Sequence, residues 1–264
     1  MTRQVYRRSA AWAMMMEATM EILTLPTAEA ACVRAAEIVA QAVVVRPEAA
    51  LGLPTGRTPV PIYAELVRRR RAGGLRLGAV RAFGLDELWG VPASAPASFR
   101  RELDGAFYRH VDIVAANIYA LDGAAADATA EAAAYEAALG RAGGLDLALL
   151  GIGGNGHIAF NEPGSPFASR TRLVALAAET REAQRAAFGT APVPTHALTI
   201  GIANILEARR VVLVATGAAK AEIVARALEG TVTEALPASV LRQHAAATFV
   251  LDEAAASRLT APRR

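Results

Sequence analysis

LDLALLGIGGNGHIAFNEP, residues 145–163, sets the reading of the whole chain. Leu145, Leu147, Ala148, Leu149, Leu150 and Ile152 form a nearly unbroken apolar run, the pattern of a strand buried on both faces of a parallel sheet. Glycines at 151, 153, 154 and 156 let the backbone turn tightly or approach a ligand, and Asn155, His157, Asn161 and Glu162 bring polar groups into the same loop. A polar loop at the carboxyl end of a buried strand is where open α/β sheets place their chemistry.

The glycine run is a poor nucleotide fingerprint. It lacks the Lys-Ser/Thr of a P-loop, and a dinucleotide site would need a helix to begin inside the run. His157 carries more information. It stands five residues before a carboxylate in a loop too glycine-rich for plain core. An imidazole exchanges protons near neutrality, and a carboxylate partner fixes its tautomer and raises its basicity.

Outward from this loop, strand and helix patterns alternate. Residues 27–45 read as an alanine-rich helix with Thr27 as its cap and Pro47 as its stop. Residues 49–53 form a first central strand, followed by PTGRTP and a helix over 59–71. Gly52, Gly56 and the hydroxyls of Thr55 and Thr58 make a turn whose N–H groups can hold an anion. A strand at 79–83 delivers Asp86 and Glu87 into a loop at the same sheet edge as the glycine loop. Ser98 caps a helix running toward His110, and 128–142 is another helix. Residues 197–206 read as partly helical, 210–215 as a strand, 218–228 as a helix, 237–243 as a short helix and 247–251 as a late strand. Lys220 opens its helix, where its charge and the helix N-terminus both attract an anion. Such alternation implies right-handed crossovers in one α/β domain, a mainly parallel sheet flanked by helices. No internal repeat, long linker or second globular domain is visible.

The chain has 264 residues, one cysteine and four histidines. Cys32 rules out an intrachain disulfide framework and fits a cytoplasmic protein; its helical setting makes it a small buried hydrophobe. The widely spaced histidines form no zinc pattern. No apolar run is long enough to cross a bilayer. The net charge is +3, but residues 1–19 contribute +2 and the two C-terminal arginines another +2, leaving −1 for the rest. With no basic block interleaved with aromatics, nucleic acid is not an expected partner.

GIGGNGHIAFNEPGSPFASRTR at 151–172 closely resembles the signature of the glucosamine-6-phosphate deaminase family. The resemblance continues through LGLPTGRTP at 51–59, LDELWG at 85–90, HVDIVAANIYALDG at 110–123, VPTHALTIGIANIL at 193–206 and VVLVATGAAKAEIV at 211–224. It covers roughly residues 20–259 and implies a Rossmann-like fold. Residues 1–19 are then expected to be a disordered extension or an overextended start, and 260–264 a flexible tail. The implied reaction is isomerisation and deamination of glucosamine 6-phosphate, with water, to fructose 6-phosphate and ammonium, without a metal or organic cofactor.

The resemblance also implies roles. Asp86 is the base that moves the C2 proton to C1; His157 assists ring opening; Glu162 pairs with His157. Asn155, at a position that is Asp in some relatives, orients His157 but is no general base. Thr55, Gly56, Thr58, Arg181 and Lys220 are implied to hold the phosphate; Arg57, standing where members often have Gly or Ser, is a candidate phosphate contact whose side chain either reinforces that binding or points to solvent. Glu87 is expected to shape its loop or touch substrate. A homo-oligomer is expected. Ser165 and Arg172 match two positions of the effector site in regulated members, but Val174 replaces a lysine there, so weak or absent activation by N-acetylglucosamine 6-phosphate is expected. The alternatives are a 6-phosphogluconolactonase, which shares the fold but needs water activation rather than a C2-to-C1 proton shuttle, and a non-catalytic sugar-phosphate sensor.

Overall fold

The apolar run at 147–150 is the middle strand of a seven-stranded parallel sheet in the computed structural model, which describes residues 20–260. In chain order the strands and helices are β1 (Glu21–Leu25), α1 (Ala28–Val45), β2 (Ala50–Leu53), α2 (Pro59–Arg71), β3 (Arg81–Gly84), β4 (Asp86–Leu88) and α3 (Phe99–Ala106). They continue with β5 (Ile118–Tyr119), α4 (Ala128–Ala142), β6 (Leu147–Leu150), β7 (Arg172–Ala175), α5 (Ala178–Phe188), β8 (His196–Thr199), α6 (Ile202–Leu206), β9 (Val211–Ala215), α7 (Ala221–Glu229) and β10 (Ala247–Asp252). The large sheet runs β1-β10-β9-β6-β2-β3-β5.

Alternation along each strand divides the core into two layers. Leu51, Leu53, Leu147, Leu149, Val212 and Val214 pack under α1 and α2, while Ala148, Leu150, Val211, Leu213, Phe249 and Leu251 pack under α4 and α7. Alanines at 31, 35, 36 and 40 let α1 lie close to the sheet, and Thr27 Oγ1 caps that helix by accepting the Ala30 N–H at 3.1 Å. The chain leaves β2 toward β3 and β5, then returns to place β6 on the other side of β2. That reversal opens a crevice between the carboxyl ends of β2 and β6, the usual ligand position in an open α/β sheet.

A second, antiparallel sheet, β4-β8-β7, lies beside this crevice. It corrects two expectations. The segment carrying Asp86 is not a loop but a strand, paired Asp86↔Thr199 to β8. Residues 197–206 are a strand followed by a helix, because β8 ends at Thr199 and α6 begins only after Gly201. The third strand, β7, follows the glycine loop and pairs to β8 across Arg172↔Thr199. The short helix at 237–243 is 3-10, and the one expected at 218–228 opens with a 3-10 turn at 218–220. The expectations for 1–19 and for 261–264 lie outside the described residues. Thr260, the first residue of the expected tail, is tied to Glu229 by its N–H at 2.7 Å and its hydroxyl at 3.0 Å.

Candidate active site

The glycine loop holds His157 by shape as much as by bonding. A Cβ on Gly153 would meet the His157 ring at 2.3–2.5 Å, so the imidazole lies directly against a glycine backbone that no other residue could offer. The Gly153 N–H donates to the His157 carbonyl at 2.9 Å and closes the turn. Asn155 Oδ1 accepts the His157 N–H at 3.1 Å, and its Nδ2 donates to Glu162 Oε2 at 2.8 Å. The same Glu162 oxygen faces His157 Nδ1 at 3.4 Å, an ionic contact without hydrogen-bond alignment. Burial alone would raise the Glu162 carboxyl, but its neighbours His157, Thr180 and Asn155 outweigh that and hold it at about 2. Asn155, His157 and Glu162 are thus one unit. Ala159, at φ 48°, is the one non-glycine residue with positive φ among the described residues, so the strained backbone lies in this loop too.

The small sheet ties Asp86 to that unit. Thr199, opposite Asp86 in the β4–β8 pair, accepts the Phe160 N–H on its Oγ1 at 3.0 Å, and Asn161 Nδ2 donates to the Ile200 carbonyl at 2.9 Å. Asp86 has some surface open to solvent, yet it is deeply surrounded by protein. That burial, with smaller effects from the Glu87 and Glu102 charges, pushes its carboxyl from an ordinary 3.8 up to about 8. No side chain or amide among the described residues donates to it.

Glu87 points the other way and is 2% exposed. Its Oε1 accepts from the Leu88 and Phe99 amides at 2.9 and 3.1 Å, and its Oε2 from Ser98 Oγ and the Arg100 amide at 2.7 and 3.0 Å. Both oxygens are consumed, and the carboxylate closes the N-terminus of α3. Of the two roles expected of Glu87, shaping the loop is the one these contacts fit. Glu87→Ala should cost about 2–4 kcal/mol of stability by leaving buried donors unpaired. Urea unfolding checks this; an unchanged midpoint with a raised KM would restore the substrate contact.

Across the crevice, the β2–α2 loop presents Thr55, Gly56, Arg57 and Thr58. Gly56 has φ +101°, and Thr58 stands at the N-cap of α2 without a side-chain cap bond. Lys220 reaches the carboxyl end of β6, where its Nζ donates to the Ile152 carbonyl at 2.7 Å. Burial and the nearby Arg57 charge both lower its pKa. Two cations held close, beside free hydroxyls, form a set suited to a bound anion. Arg181 comes from the first turn of α5, an otherwise exposed helix entered where Glu162 Oε1 accepts the Ala177 N–H at 3.3 Å. Its Nε is buried without a hydrogen-bond partner among the described residues.

Three contributors escape a linear reading. Gly153 is one glycine among several, Thr199 lies in an apolar run, and Glu102, which accepts the Gly56 N–H at 2.7 Å, stands in an ordinary charged helix. Their roles arise from contacts between segments distant in the chain. Arg172 and Ser165 do meet, Nη2 to Oγ at 3.2 Å, and Arg172 Nη1 also bonds Asn161 Oδ1 at 2.9 Å. Among the described residues, no group of three or more His, Cys, Asp or Glu is arranged to hold a metal ion, and no helix is long and apolar enough to cross a membrane.

A seven-stranded parallel α/β sheet with Asp86, His157 and Glu162 near its topological switch and the 55–58 loop across the crevice is the architecture of one known family, as sequence comparison shows. The profile of the glucosamine-6-phosphate isomerase/6-phosphogluconolactonase family matches residues 26–250. Glucosamine-6-phosphate deaminases of Mycolicibacterium smegmatis and Streptomyces coelicolor are each 46% identical over 242 residues, 91% of this chain, with 93% of the former's length covered. A solved monomeric glucosamine-6-phosphate deaminase superposes with a TM-score of 0.88 at 38% identity, over 90% of this chain and 100% of that one. A 6-phosphogluconolactonase from Trypanosoma cruzi gives a TM-score of 0.75 at 23% identity, covering 93% and 99%, which speaks for the shared fold alone. The chain belongs to the glucosamine-6-phosphate deaminase family, the glucosamine/galactosamine-6-phosphate isomerases.

Proposed function

We propose that this protein converts D-glucosamine 6-phosphate and water to D-fructose 6-phosphate and ammonium. The observation that carries the reading is a pair of carboxyls driven apart at one sheet edge: Asp86 at about 8 with no donor on it, Glu162 at about 2 and committed to His157. A carboxyl of the first kind is a base strong enough to take a proton from carbon. One of the second kind stays charged and supports an imidazole that shuttles protons. In the proposed course His157 moves the O1 proton to the ring oxygen, opening the sugar. Asp86 then removes the C2 proton; the C–H electron pair becomes the C1–C2 double bond of an enol-amine as the C1 carbonyl π pair moves to O1, which takes a proton from the C2 ammonium. Returning the C2 proton from Asp86 to C1 draws the nitrogen lone pair into an iminium at C2, to which water adds before ammonia departs.

Arg57, Thr55, Thr58, Arg181 and Lys220 supply the phosphate contacts in this reading, supported by the buried unpaired Arg181 Nε and by the Arg57–Lys220 proximity. Lys220→Ala should raise KM for glucosamine 6-phosphate roughly tenfold or more, the scale of one charge-assisted hydrogen bond. Arg57→Gly tests the residue peculiar to this loop, and an unchanged KM would remove it from the contact set. The defining experiment couples ammonia release from glucosamine 6-phosphate to fructose 6-phosphate formation, after removal of divalent ions; no ammonia under these conditions rejects the proposal. A cytoplasmic setting belongs to the same reading, supported by the free, buried Cys32. So does a homo-oligomer, though a relative of 38% identity is monomeric; sedimentation of the purified protein decides it.

A further inference from the structure

The loop proposed to take the phosphate already carries a negative group. Gly56 turns its N–H outward at φ +101°, and Glu102 Oε1 accepts it at 2.7 Å from α3, 46 residues further along the chain. This bond is not a by-product of helix capping. The amides of Phe99 and Arg100 are taken by Glu87, and that of Arg101 by Ser98 Oγ. Glu102 forms no ion pair among the described residues, although Arg57 stands next to the amide it holds. The one hydrogen bond of its side chain among the described residues is to the loop. Its carboxylate therefore sits where a phosphate oxygen would meet the amide, the mode by which glycine turns before a helix bind anions.

We propose that Glu102 is an internal rival of the substrate phosphate: its carboxylate holds the Gly56 amide in the empty site and must leave when the phosphate arrives. The inference rests on the reading that residues 55–58 take the phosphate. A mono-anionic carboxylate keeps the loop in a binding shape, while a dianionic phosphate, matched by Arg57 and Lys220, displaces it. Glu102 is thus a positioning residue that sets affinity and favours doubly charged ligands over carboxylates.

Glu102→Gln keeps an acceptor within reach of Gly56 and removes the charge. KM for glucosamine 6-phosphate and the competitive inhibition constant of inorganic phosphate should both fall roughly two- to fivefold, the range for one exposed charge, with the unfolding temperature unchanged. The phosphate constant is the deciding readout, because the Glu102 charge also helps to raise the Asp86 carboxyl and its loss will move kcat. Glu102→Leu, which also removes the acceptor that keeps the loop in its binding shape, should lower the phosphate constant less than the Gln variant does. If the Gln variant leaves that constant unchanged or raises it, Glu102 is only a clamp and the proposal is overturned. Lys220→Ala separates the two layers of the argument: it should raise the phosphate constant, and no change there would remove the loop reading, taking the proposal with it.

Discussion

Asp86→Asn should abolish turnover and at the same time make the protein more resistant to heat at neutral pH. Loss of the base should cost on the order of a thousandfold in kcat, and exchange of the C2 proton with solvent should stop together with ammonia release. Retained exchange would transfer the proton-moving role to another group. The gain in stability follows from linkage. The carboxyl titrates at about 8 in the folded protein, against an ordinary 3.8. Below the lower value both folded and unfolded states are protonated and nothing is lost. As pH rises toward 8 the unfolded chain ionises while the folded one resists, so stability declines throughout that window and levels off above it. Asparagine, permanently neutral, avoids the decline. The Tm difference between variant and parent should therefore be near zero at pH 4 and widen to pH 8, at about 2–4 °C for each kcal/mol. The parent's kcat/KM should show the matching kinetic signature, an acid limb near pH 8 as Asp86 gives up its proton.

Gly153→Ala should be nearly as damaging without touching a titratable group. The added methyl would lie within 2.5 Å of the His157 ring, too close for any contact, so the imidazole must leave its place. A displaced acid–base residue costs on the order of a hundredfold in kcat/KM. Gly154→Ala is the matched control, because a Cβ there meets nothing within 4 Å. Equal activity in the two variants would mean that His157 does not need its place against Gly153.

The parallel scaffold was legible because its signals are local. β2, β6, β9 and β10 are apolar runs, α1 and α3 begin at side-chain caps, and their order dictates the crossovers. The small antiparallel sheet was not. β4 has three residues and β7 and β8 four each, too short for a period to stand out, and β4 joins the sheet only because Asp86 pairs with Thr199 across more than a hundred residues of chain. Asn155, His157 and Glu162 stand in one dense motif, so the sequence groups them, whereas Asp86 lies some seventy residues earlier. Which of Asp86 and Glu87 faces the crevice was not legible, because adjacent carboxylates on a strand face opposite sides, one toward the crevice and one toward the α3 amides, and only the fold says which is which. Glu102 carried no mark at all, and Gly153 was one of four glycines in its loop, since what matters is the backbone or ring that each happens to meet.

The edge pairing of β1 with β10, Glu21 against Thr248 and onward to Leu25 against Asp252, bears on how the chain is made. A ribosome releases β1 with the first residues of the domain, but its partner emerges only after more than two hundred further residues. At ordinary elongation rates the strand waits on the order of ten seconds or more with its ladder unfilled, while β2, β3 and β6 can already associate. Closure of the sheet at this edge is therefore a late event, and the nascent chain carries an open strand edge until β10 has emerged.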